Sequence, residues 1–136
     1  MDIHFTSQIP LRVRYGETDQ MGYVYYGNYA QYFEIGRVEA MRELGMSYKD
    51  LEEMGYMLPV MNLNITYLQP AKYDDQLFVK TKVVSLNGVR LLFHYEVTKD
   101  ENILCTGETT LVFVNKETRR PIQPPKRFIE CIKSSL

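Results

Sequence analysis

The chain has no tryptophan and, in 136 residues, only two cysteines and two histidines. Cys105 and Cys131 have no Cys-x-x-Cys spacing, and with His4 and His94 as the only imidazoles they form no recognisable zinc site. Reduced thiols and no metal are expected. An excess of one charge is lacking too: sixteen Lys and Arg stand against seventeen Asp and Glu. That balance argues against affinity gained by neutralising many phosphates, so no nucleic acid partner is expected. Met1-Asp2-Ile3-His4-Phe5 lacks the basic start and apolar stretch of a secretory signal, and no apolar run approaches membrane-spanning length. The expectation is a cytoplasmic protein with no membrane span. A Gly-x-Ser-x-Gly elbow, a phosphate-binding loop and a dinucleotide glycine motif are also missing, which removes several common nucleophilic and nucleotide-binding readings.

What is present fits one domain over residues 1–136, a length that can bury a proper core. From Ile9 the pattern alternates, with Ile9, Leu11, Val13 and Tyr15 on one face and Arg12 and Arg14 on the other, as in a half-buried strand. Gly16 to Gly27 breaks this alternation. Asn28 then offers an N-cap to a long helix whose apolar face is Tyr29, Tyr32, Phe33, Gly36, Ala40, Met41 and Leu44, with Gly45 as its stop. Ser47 and Asp50 resemble a capping box for a shorter helix closed by Gly55. Thereafter the period is two, with strands at about 58–68, 76–86, 89–99 and 103–115. Asn87-Gly88 is a strong hairpin signal and Asp100-Glu101-Asn102 suits another tight connection, so neighbouring strands are expected to pair antiparallel. Pro121, Pro124 and Pro125 end the sheet, and 126–134 is expected to be a short helix or an ordered tail. The order of elements gives an α+β fold in which an antiparallel sheet of about five strands wraps round one long helix.

The segment Tyr15-Gly16-Glu17-Thr18-Asp19-Gln20-Met21-Gly22-Tyr23-Val24-Tyr25-Tyr26-Gly27-Asn28-Tyr29 lies between the first strand and that helix. It resembles the signature of the 4-hydroxybenzoyl-CoA thioesterase family of hotdog-fold proteins: an acidic residue, a small residue, Asp, two variable residues and Gly, leading into an aromatic turn and Asn-Tyr. Tyr32-Phe33-Glu34, Arg37-x-Glu39 and Pro70-Ala71-x-Tyr73-Asp74-Asp75 agree with it as well. The resemblance implies a hotdog fold, hydrolysis of acyl-CoA with water and no cofactor, and Asp19 as the catalytic carboxylate. It gives Glu17, which stands where the family usually has Asp, no part in the chemistry. It also implies a homodimer or homotetramer in which sheets join edge to edge, with the strand bearing Asn62 and Asn64 facing a neighbouring subunit's site.

Elementary chemistry points to the same segment. Thioester hydrolysis needs a base or nucleophile beside the carbonyl carbon and donors for the charge that grows on its oxygen. The first amides of a helix are such donors, because they have no intrahelical partner and the dipole favours negative charge. Tyr26 and Gly27 stand at that helix start, and glycine at 27 would let substrate approach the backbone. Gly22 completes the motif, and Tyr23 and Tyr25 are candidates to border the acyl group. Asn62 is a candidate substrate contact, and Arg90, Lys80 and Lys82 are candidates for the phosphates of CoA. Two other functions remain open at this point, a thioesterase acting on acyl carrier protein and a non-catalytic acyl-CoA binding module.

Overall fold

The first strand starts earlier than the alternation at Ile9 suggests. In the computed structural model, which describes residues 1–136, β1 runs Asp2–Arg12 and pairs with a later strand along its whole length. His4, Thr6, Ser7 and Gln8 dilute the apolar pattern there, and Ser7 is itself buried. At the other end the alternation overshoots: Val13 is buried but lies past the strand, and Tyr15 is 78% exposed at the start of a 3-10 turn, Tyr15–Glu17.

Helix α1, Asn28–Leu44, buries the seven apolar positions that its periodicity picks out, and Arg37 with them. Arg37 Nε donates to the Tyr48 hydroxyl at 3.1 Å. Asn28 is not the cap. Gly27 holds that position with helical φ −66 and ψ −20, while Asn28 opens the helix and turns its side chain to another partner. Gly45 ends the helix in the left-handed region, φ 112, which glycine adopts without a Cβ penalty. Ser47 and Asp50 do form a capping box on α2, Tyr48–Glu53.

The stretch 58–68 proves to be strand β3, Val60–Tyr67, preceded by a short β2, Tyr56–Met57. Three long strands follow, β4 at Gln76–Asn87, β5 at Arg90–Lys99 and β6 at Asn102–Val112. The stretch 103–115 ends as a separate β7, Val114–Asn115, which pairs with β2. The main sheet has the order β1-β4-β5-β6-β3, antiparallel at every pair. Adjacent strands pair at both hairpins, but β3 and β4 do not. Instead β3 lies at the far edge beside β6, and residues 68–75 carry the chain across the end of the sheet to β4. That crossing segment underlies the Asp19 loop: Val24 N–H donates to Ala71 O at 2.8 Å, and Tyr23 bridges to Lys72. The helix rests on the inner face of Leu77, Val79, Val83, Leu91, Phe93 and Val97. A terminal helix, α3 at Lys126–Ser134, closes the core with Phe128 and Ile132. No helix is long and apolar enough to cross a membrane.

Candidate functional site

Asp19 sits in a turn that its own side chain builds. Its Oδ1 accepts the N–H groups of Met21 at 2.9 Å and Tyr23 at 3.3 Å, and its carbonyl accepts from Gly22 N–H at 3.0 Å. Gly22 has φ 81, a conformation that explains glycine at this point of the motif. Asp19 N–H donates to Tyr23 O at 2.8 Å and Thr18 bridges to Val24, so the turn is the tip of a tiny hairpin. Oδ2 makes no hydrogen bond within the chain.

A pocket of ≈ 280 Å³ opens at this carboxylate. Its walls are Met21, Tyr23 and Val24 from the loop, Tyr26 and Tyr29 from the helix start, and Tyr67, Leu68, Gln69 and Pro70 from the end of β3 and the crossing segment. Asp19 is its one carboxylate. Tyr67 organises the far wall: its hydroxyl donates to Tyr26 O at 3.0 Å, and its ring meets Tyr26 and Tyr29 edge to face at 6.3 and 5.5 Å. Burial, with a smaller push from the nearby Cys105, raises Tyr29 to about 12, so it remains a neutral phenol.

At the helix start, Asn28 N–H donates to Tyr25 O and Tyr29 N–H to Tyr26 O, whereas the N–H groups of Tyr26 and Gly27 have no acceptor in the chain. Two adjoining donors are thus left free, and of their two residues Tyr26 lines the pocket with the carboxylate. That pair is what an oxyanion site requires.

The other candidates stand apart from this pocket within one chain. Tyr25 lines no part of the pocket; its ring packs on Tyr26 at 4.6 Å and covers Gly27, where an added Cβ would stand 2.8 Å from the ring. The glycine at 27 therefore makes room for Tyr25 and not for open approach. Asn62 pairs with Thr110 on the sheet face opposite α1, away from Asp19 in the same chain. Arg90 opens β5 at the end remote from Lys99, which abuts the crossing segment through Asp75. Lys80 and Lys82 are exposed on the outer face of β4. Tyr67, Leu68 and Gln69 reach the pocket from outside the motif. The run Tyr67-Leu68, which breaks the alternation at a strand end just ahead of Pro70, was the available signal.

Comparison with known proteins adds a second line of observation. The thioesterase-like superfamily profile matches residues 13–132. YneP of Bacillus subtilis is 37% identical over 123 residues, covering 90% of this chain and 89% of that protein. The acyl-CoA thioester hydrolase YbgC of Escherichia coli is 31% identical over 125 residues, covering 91% and 93%. The crystal structure of a DHNA-CoA thioesterase from Staphylococcus aureus superposes with a TM-score of 0.90 at 33% identity, covering 95% of this chain and 89% of that one.

Proposed function

The chain belongs to the thioesterase-like superfamily and is an acyl-CoA thioester hydrolase of the hotdog fold, and from that premise we propose that Asp19 is its catalytic carboxylate. The observation that carries this assignment is the meeting, at one apolar pocket, of a lone carboxylate with Tyr26, whose amide and that of the adjoining Gly27 are unengaged. With Oδ1 held by Met21 and Tyr23, Oδ2 is free to take a proton from water as that water attacks the thioester carbon. The carbonyl oxygen gains charge against the Tyr26 and Gly27 amides, and the tetrahedral species collapses with loss of the CoA thiolate, which is protonated to the thiol. Direct attack by Oδ2, through an anhydride that water then opens, reaches the same acid and thiol.

Residues 1–136 act as one domain, and the working form is a homo-oligomer. Strand β3 supports this reading: it is an edge strand whose apolar side chains are exposed, with Val60, Met61, Leu63 and Tyr67 between 44% and 51%. An edge of that kind calls for a partner strand. A second copy across β3 would also wall the pocket beyond Tyr67. The free thiols Cys105 and Cys131 suit a cytoplasmic setting. A pocket of ≈ 280 Å³ crowded by tyrosines fits small or medium acyl groups. Thiol release over a panel of short, long, branched and aromatic acyl-CoAs tests this. Turnover of small or aromatic thioesters is expected; no turnover of any acyl-CoA would refute the function, and a preference for C16 or longer chains would refute the pocket reading.

A further inference from the structure

Glu17 is the one buried carboxylate that the proposed chemistry leaves unused. Its Oε1 accepts the Arg14 backbone N–H at 2.8 Å and the Tyr32 hydroxyl at 3.0 Å, and its Oε2 accepts Arg14 Nε at 3.1 Å and Nη2 at 2.9 Å. Its backbone carbonyl accepts two more donors, Tyr25 N–H at 2.9 Å and Asn28 Nδ2 at 2.8 Å. The end of β1, the body of α1 and both sides of the Tyr26-Gly27 helix start therefore converge on one residue. Two positions further on stands Asp19.

We propose that Glu17 is a positioning residue: it clamps the loop carrying Asp19 to the helix start carrying the free Tyr26 and Gly27 amides, so that base and oxyanion donors keep one fixed relation. The inference rests on the assignment of Asp19 made above. The carboxylate fixes residue 17 against Arg14 and Tyr32, and the backbone carbonyl so held binds Tyr25 and Asn28, the two flanks of the oxyanion amides. Misplacement of reacting groups by about 1 Å can cost on the order of a hundredfold in rate, so loss of the clamp should be visible in turnover.

The test is a double-mutant cycle in the full-length protein with Glu17→Gln, Asp19→Asn and the pair, measuring kcat and KM on one good acyl-CoA. Glu17→Gln puts an amide donor among donors, and it is expected to lower kcat by ~10-fold or more with KM changed by less than about threefold. In the Asp19→Asn background the same change should cost less than about twofold, because there is no longer a base to position. Should Glu17→Gln fail to fold, Tyr32→Phe removes one bond of the clamp and enters the same cycle, with a smaller loss expected and the same loss of effect beside Asp19→Asn. Equal losses in both backgrounds, or a folded Glu17→Gln with wild-type kcat, would overturn the proposal. An Asp19→Asn variant with near wild-type rate is a different result, and it overturns the base assignment itself.

Discussion

Gly107→Ala probes the packing that sets helix α1 on the sheet. Gly107 lies in β6 between Tyr95 of β5 and Ile65 of β3. A Cβ built there meets the Phe33 ring, with Cζ at 2.5 Å, and the Asn64 carbonyl oxygen at 3.0 Å. Phe33 has nowhere to retreat: it is 0% exposed and stacked on Tyr95 with centroids 4.4 Å apart. Overpacking of this kind costs ~1–3 kcal/mol. Alanine regains roughly 0.5–1 kcal/mol over glycine within a strand. The net loss should be ~1–2 kcal/mol, or a melting temperature lower by about 4–8 °C for a chain of this size. Thermal and urea unfolding read this directly. Combined with Phe33→Leu, which removes the obstructing ring, the penalty of Gly107→Ala should shrink by at least ~0.5 kcal/mol. A Gly107→Ala protein as stable as wild type, or strict additivity with Phe33→Leu, would refute the packing argument.

Acid should weaken the fold through Glu17 and Asp75. Burial pushes the Glu17 carboxyl up, but the Arg14 backbone and side-chain bonds, the Tyr32 hydroxyl and the Arg14 charge outweigh it and hold the group below its ordinary value. Burial opposes Asp75 in the same way, and the Lys99 bond, the Lys72 N–H and both lysine charges outweigh it. A depressed folded pKa contributes stability that is present above the ordinary value, about 4 for these groups, and is lost as pH falls through the folded value. Urea midpoints should therefore fall as pH drops below about 4, and Glu17→Gln should flatten part of that slope; a slope unchanged by Glu17→Gln would refute the account. Leu63→Lys places a charge on the exposed edge of β3, where a surface change alters folding by only about ±0.5 kcal/mol. Sedimentation should show a shift to monomer with reduced hydrolysis; an unchanged mass would refute β3 as the contact.

The sequence made local structure legible and long-range placement much less so. Glycine at 88, with φ 63, and the left-handed Asp100 and Glu101, with φ 49 and 68, carry out the hairpins that their residue types announce. The apolar face of α1 was likewise written in its spacing. Alternation identified β3 as a strand, but a two-residue period says nothing about which neighbour it takes, and β3 crossed to the opposite edge. In the site, the motif singled out Asp19, Gly22 and the helix start, whereas Tyr67 entered the pocket from 41 residues beyond its hydrogen-bond partner Tyr26. Glu17 looked idle because the hydroxyl that buries its charge comes from Tyr32, 15 residues on, a distance that only the helix's return to the loop closes.

Asp19→Asn separates the chemistry of the Asp19 carboxylate from its part in the turn. An amide oxygen at Oδ1 can still accept from Met21 and Tyr23, so the turn and the pocket should survive the change. Basicity and nucleophilicity at Oδ2 would not. Hydrolysis of one good acyl-CoA should fall by about a hundred- to ten-thousand-fold, roughly 3 to 5.5 kcal/mol of barrier, while acyl-CoA binding and melting temperature stay close to wild type. A folded Asp19→Asn protein that keeps more than about a tenth of the wild-type rate, well short of the loss of a general base, would contradict the account.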